Sequence, residues 1–197
     1  MLDRSMNRRH ALGLAAGTLV GGVLLSACSS TSAASSQSPT NLDLTIVTSA
    51  LTTKKDWPAI IPSNLTVPAH GIVNVRIFNF DDGTAPLTDQ LANYAKVSGV
   101  TGNQATTQPL TVDNPNATGT GKTFTAMAPA DVAHTFTILK LNLNVPMPVT
   151  SVVSFSFQAP DAGTYTWQCM APCGTGTNNM GGAMAANGYM MGTLKVI

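Results

Sequence analysis

Two thiols four residues apart, Cys169 and Cys173, stand in the run Tyr165-Thr166-Trp167-Gln168-Cys169-Met170-Ala171-Pro172-Cys173-Gly174. The one other cysteine is Cys28. His134 lies 35 residues upstream of Cys169, and five of the nine methionines (Met170, Met180, Met184, Met190 and Met191) fall in the last 28 residues. Thiolate, imidazole and thioether are the ligand types of copper electron-transfer sites, and such a soft set favours Cu(I)-type chemistry over zinc or iron. Blander roles exist for each residue. Methionine also fills irregular core space. A histidine that opens a strand can be a core residue bonded to a loop carbonyl. Two nearby cysteines in an exported chain can close a disulfide.

The segments that must position these residues read as short strands. Leu42–Thr48 alternates apolar and polar residues, as does Ser151–Gln158, where Val153, Phe155 and Phe157 share a phase. Ile72–Phe80 carries apolar residues on both phases, which predicts a central strand. Leu65–Val67 is a short strand, and Ala69-His70-Gly71 is a turn whose histidine is expected in solvent. Lys54–Pro62, with two prolines, reads as an extended connection, and Asp81-Asp82-Gly83 as a turn. Residues 84–123 read as an insertion with one short helix over Leu87–Val97 and one hairpin. Phe124–Met127 and His134–Leu141 are expected strands around a turn at Pro129-Ala130-Asp131. Val145–Pro148 is expected as an extended crossing segment. Thr164–Cys169 puts Tyr165, Trp167 and Cys169 on one phase, and Met191–Ile197 closes the domain with Leu194 and Val196 inward. Many short strands with turn signals and almost no helix predict an all-β sandwich.

Asp131-Val132-Ala133-His134-Thr135-Phe136, followed by Gly163-Thr164-Tyr165-Thr166-Trp167-Gln168-Cys169, resembles a cupredoxin. The Cys-x3-Cys-Gly run at Cys169–Gly174 is similar to the binuclear copper A domain of cytochrome c oxidase subunit II and nitrous oxide reductase. The resemblance is specific over residues 131–197, weaker over 42–82, and leaves 84–123 unexplained. It implies a cupredoxin-like Greek-key β-sandwich with a long insertion, holding one or two copper ions. His134 would be the first histidine ligand, Cys169 and Cys173 the thiolates, and Ala171 a backbone carbonyl ligand. The family then places His-x-x-Met before its last strand. Counting on from Cys173 reaches Thr177 and Met180. Counting back from Met190-Met191-Gly192-Thr193-Leu194-Lys195-Val196 reaches Asn187 and Met190, and this second alignment is the one adopted, with Met190 as the thioether ligand. Neither alignment supplies a histidine, and none follows His134 in the chain. The implied role is a one-electron carrier rather than an enzyme, working with a redox protein partner or a respiratory complex. Two other roles stay open: a Cu(I) metallochaperone or storage protein, and a structural cupredoxin whose degenerate site is closed by a Cys169–Cys173 disulfide.

The chain begins with Arg4, Arg8, Arg9 and His10, then an uncharged run from Ala11 to Leu25, then Leu25-Ser26-Ala27-Cys28. This order reads as a secretory leader over residues 1–27 with a lipoprotein cleavage site. The Arg8-Arg9 pair points to twin-arginine export. Lipidation of Cys28 would anchor the protein to the outer face of the cell membrane without spanning it. Residues 28–41, rich in Ser, Thr and Ala, read as a flexible tether. Residues 42–197 are then one domain. Past the leader, seven Lys/Arg face eight Asp with no glutamate. That balance offers no basic surface for nucleic acid, and two histidines without glutamate equip a hydrolytic site poorly.

Overall fold

Eleven strands form two sheets in the computed structural model, which describes residues 38–197 apart from Lys55, Val112 and residues 175–180. These described residues belong to one unit, Ser36–Ile197. The expected leader, Cys28, most of the tether, and the alternative pair Thr177 and Met180 lie outside them. No helix among the described residues is long and apolar enough to cross a membrane.

The first sheet contains β1 (Thr40–Val47), β2 (Ala59–Ile61), β4 (Ile72–Asn79), β5 (Ala105–Pro109), β6 (Lys122–Phe124) and β9 (Ser151–Gln158), in the order β2-β1-β4-β9-β5-β6. The second contains β3 (Asn64–Val67), β7 (His134–Ile138), β8 (Leu143–Met147), β10 (Gly163–Gln168) and β11 (Met191–Val196), in the order β3-β11-β10-β7-β8. The chain crosses between sheets after β2, β3, β6, β8 and β9, so one core forms between them. Val73, Val75 and Ile77 of β4 and Val153, Phe155 and Phe157 of β9 face Phe136, Trp167, Leu194 and Val196 of the other sheet in a single buried cluster. Trp167 is fully buried, stacks on Phe136 at 5.5 Å, and donates its indole N–H to the Ser63 carbonyl at 2.9 Å. Phe136 meets Phe155 at 6.0 Å across the sandwich. This all-β, two-sheet sandwich is the architecture that the alternating segments predict.

Several details differ from the expectations. The β4 strand is central, between β1 and β9, but only its Val73, Val75, Ile77 and Asn79 phase is buried, and Ile72 is exposed. The apolar residues of its other phase coat an open sheet face, which burial of one side permits in a mixed sheet. The Lys54–Pro62 connection contains β2, paired antiparallel to β1. Val145–Pro148 is not a crossing segment: residues through Met147 form β8, which pairs with β7 along its length. Pro146 is accommodated because β8 is the outermost strand of its sheet. The strand expected over His134–Leu141 ends at Ile138, where Leu139–Leu141 tightens into a 3-10 turn and Asn142 adopts a left-handed φ of 49°.

The segment over 84–123 ties the two sheets together. Its expected helix is a 3-10 turn at Asp89–Ala95. Ser98 exchanges backbone hydrogen bonds with Asn144 on β8, and the Asn144 side-chain amide donates to the Tyr94 and Lys96 carbonyls at 2.8 and 2.6 Å. This covers the exposed edge of β8, and it explains why every residue of β7 and β8 is buried. The expected hairpin is present as β5 and β6, and β5 adds to the first sheet beside β9.

Candidate metal centre

Three chain segments reach the same end of the sandwich. The β10–β11 ladder ends at the pair Gln168 and Met191, and Cys169 N–H continues it by donating to the Met190 carbonyl at 2.9 Å. Cys169 and Met190 therefore stand opposite one another. Cross-strand partners share a face of the sheet, here the inward face that Trp167 also occupies. His134 opens the neighbouring β7, and Thr135 N–H points at Cys169 Sγ at 3.4 Å. Beyond Cys169 the chain turns tightly: Cys173 N–H donates to the Ala171 carbonyl at 2.7 Å, and Gly174 follows at φ 64°, where a Cβ would lie 2.7 Å from the Asp56 carbonyl. The glycine after Cys173 thus lets the loop pack against the 56–58 segment.

The turn folds Cys173 back onto Cys169. Their sulfurs are 3.3 Å apart and unbonded. One His134 ring nitrogen and both Sγ atoms lie within 4.8 Å of one another, and all three residues are buried. The Ala171 carbonyl oxygen is 3.4 Å from Cys169 Sγ. Met190 is fully buried, as is Met184. His70 is far from this group in character: it sits in the β3–β4 turn, exposed, 3.6 Å from Asp161.

The His134 side chain, 1% exposed, uses its two nitrogens differently. Nε2 is 3.1 Å from Asp81 Oδ2. Nδ1 is buried without a hydrogen-bond partner. A buried polar atom left unpaired is costly and asks for an explanation; a metal ion held between this nitrogen and the thiols supplies one. Sequence reading missed Asp81, treating it as part of a turn. Its signal was the Asn79-x-Asp81-x-Gly83 pattern, in which each side chain caps the backbone two residues on.

The loop is braced from below by a buried polar chain. Met170 N–H donates to Thr135 Oγ1 at 2.7 Å, Thr135 and Thr137 hydroxyls are 2.9 Å apart, and Thr137 donates to Asn144 Oδ1 at 2.6 Å. Because an amide oxygen only accepts, the Thr137 proton points to Asn144, and Thr135 must donate to Thr137. Every group between the cysteine loop and the Tyr94–Lys96 backbone is satisfied.

The charges of the group are set jointly. Burial lowers the proton affinity of His134, but the Asp81 hydrogen bond and the Cys169 thiolate outweigh it and raise the pKa to about 9. Burial pushes Cys169 up, but the Cys173 thiol, 3.3 Å away, and the facing His134 ring bring it well below the ordinary thiol value. Burial and the adjacent Cys169 thiolate push Cys173 well above it. The three directions agree: His134 and Cys173 hold their protons more tightly than an ordinary imidazole and thiol, and Cys169 gives its proton up more readily. A metal ion that takes all three donors must displace protons from His134 and Cys173, about two in all. Both are held more tightly than usual, so affinity is expected to rise with pH toward about 9. The expected slope is roughly 100-fold per pH unit between pH 6 and 8. Chelator competition at several pH values, with proton release counted in an unbuffered titration, checks this. A pH-independent affinity would mean that His134 and Cys173 stay out of the site.

A cleft of about 230 Å³ leads to the group, lined by Asp56, Pro58, Asp81, His134, Pro172 and Cys173 among others. It gives an ion a route in although the donors themselves are buried.

No protein-family model matches the sequence, and no curated protein matches it either. Among solved structures, the chain is similar to auracyanin B, at 15% identity and a TM-score of 0.35, covering 82% of this chain and 91% of that one. It is similar to the auracyanin of the photosynthetic bacterium Roseiflexus castenholzii, at 15% identity and a TM-score of 0.36, covering 80% and 97%. It is also similar to auracyanin A of Chloroflexus aurantiacus, described as a blue copper protein, at 18% identity and a TM-score of 0.35, covering 81% and 99%.

Proposed function

We propose that this domain holds copper between His134, Cys169 and Cys173 and carries single electrons, as a cupredoxin-like protein with a copper A-like or variant site. The observation that carries the proposal is the buried group in which one His134 ring nitrogen and both thiol sulfurs lie within 4.8 Å of one another, beside a His134 Nδ1 that has no hydrogen-bond partner. Imidazole and thiolate donors beside buried thioethers suit copper in both oxidation states. Met190, buried opposite Cys169, and the Ala171 carbonyl, 3.4 Å from Cys169 Sγ, are the further donors proposed. Copper would supply the one-electron couple. The chain's part is to hold the donors rigidly, through the β10–β11 ladder and the Thr135–Thr137–Asn144 chain, and to keep water from them. The domain transforms no substrate by itself and passes its electron to a redox protein, of which a respiratory complex is one form. The leader pattern supports export and anchoring through a lipidated Cys28.

A second reading, Cu(I) storage or delivery, is favoured by the single imidazole in the group. Full burial of all three donors favours a retained ion over one that is handed on. The two are separated by titrating the reduced protein with copper while recording visible and electron paramagnetic resonance spectra, with copper and free thiols counted. A coloured, reversibly oxidised centre is the expected result. Hyperfine splitting shared between two coppers would mark a copper A-like centre, and a single-copper signal a mononuclear variant. Tight, colourless Cu(I) that cannot be cycled would replace electron transfer with the storage reading. An absence of copper and of free thiols would overturn both.

A further inference from the structure

The residue that controls the His134 nitrogen lies in the turn that follows β4 of the opposite sheet. We propose that Asp81 is a positioning residue of the metal centre: it orients His134 through Nε2, frees Nδ1 for the metal, and biases the site toward the oxidised ion. This rests on the copper reading given above.

Asp81 is fixed without help from His134. Its Oδ1 accepts from Gly83 N–H at 3.1 Å, its own N–H donates to Asn79 Oδ1 at 3.0 Å, and its carbonyl accepts from Thr150 N–H at 2.9 Å. Asn79 is itself fully buried, with its amide donating to the Pro148 carbonyl at 2.8 Å. This leaves Oδ2 aimed at His134 Nε2. An imidazole that donates Nε2–H to a carboxylate keeps its other nitrogen as the ligating atom, and the carboxylate raises the donor strength of the ring. Asp81 does not belong to the donor group itself, which is His134, Cys169 and Cys173. Its negative charge is nevertheless one ring away, and it stabilises the more highly charged copper ion over Cu(I).

Two substitutions separate the parts of this role. Asp81→Asn keeps an acceptor oxygen of the same shape and removes the charge. Asp81→Ala removes the acceptor as well. Asp81→Asn is expected to lower the preference for Cu(II) over Cu(I) about tenfold, which is about 59 mV upward in a one-electron midpoint potential. Asp81→Ala is expected to weaken copper binding about 10–100-fold. The experiment is chelator competition for Cu(I) plus a potentiometric midpoint, on the full chain and both variants, with thermal unfolding followed in parallel. A purely structural turn residue would move the unfolding temperature of both variants and leave affinity and potential as in the original chain; that result would overturn the role of Asp81 alone. Failure of the unsubstituted chain to take copper would overturn the copper reading and this inference with it.

Discussion

Cys169→Ser is expected to remove the coloured centre and weaken copper binding by roughly 10²–10³-fold, because one strong thiolate ligand among three or four is lost. The fold should survive. Serine is slightly smaller than cysteine, and its hydroxyl can still accept from Thr135 N–H and approach the Ala171 carbonyl, as the sulfur does at 3.4 Å in each case. The stability cost is therefore expected near 1–2 kcal/mol, from imperfect pairing of a buried hydroxyl. Cys173→Ser supplies the contrast. In a copper A-like site the two thiolates are equivalent, and either replacement removes the spectrum. In a mononuclear site built on Cys169, the Cys173 variant keeps its colour. Absorption spectra of the two copper-loaded variants, with chelator competition and thermal unfolding, read all of this. A Cys169→Ser protein with the original spectrum and affinity would place the metal elsewhere.

How much of such a site can be read from a chain depends on how local its geometry is. Cys169 and Cys173 are four residues apart, so a single turn brings them together, and their spacing could be read directly. His134 is more distant, yet it opens a strand in the same sheet as β10, which runs into Cys169, and its neighbours carry the family likeness. Asp81 depends on the far sheet being stacked in register on the near one. Nothing in Asp81-Asp82-Gly83 alone distinguishes a brace from a turn, and only the polar Asn79 at an inward position of β4 hints that the turn is anchored. The same distinction holds for the fold. Strands with one buried face, such as β9 and β11, announce themselves by alternation. In β8 the signal is absent because Asn144 and Pro146 are buried for reasons outside the strand: one pairs with the Tyr94–Lys96 backbone, and the other tolerates an edge. Residues 84–123 were opaque because they have little periodicity of their own. Their structure comes from what they cover, the edge of β8 on one side and the flank of β9 on the other.

Gly192→Ala is expected to be among the most destabilising single changes the domain can suffer, by about 3–5 kcal/mol. Gly192 lies directly across from Trp167 in the β10–β11 register. A Cβ there would fall 2.0 Å from the Ser63 carbonyl oxygen and 2.6 Å from the Trp167 ring. Neither neighbour can yield cheaply. The Ser63 carbonyl accepts from both Trp167 Nε1–H at 2.9 Å and Thr193 N–H at 3.0 Å, which ties β3 to β11. Trp167 is fully buried and stacked on Phe136. One methyl group therefore has to displace a backbone strand or the largest side chain of the core. The damage would not stop at stability, because Trp167 is two residues before Cys169 on the same face of β10, and Met190 is two residues before Gly192. Displacement of either strand loosens the Cys169–Met190 rung that sets two of the proposed ligands. Urea unfolding of the metal-free variant measures the first effect, and copper affinity under conditions where the variant remains folded measures the second. A loss of less than about 1 kcal/mol would mean that β3 does not pack against β11 as closely as this geometry requires.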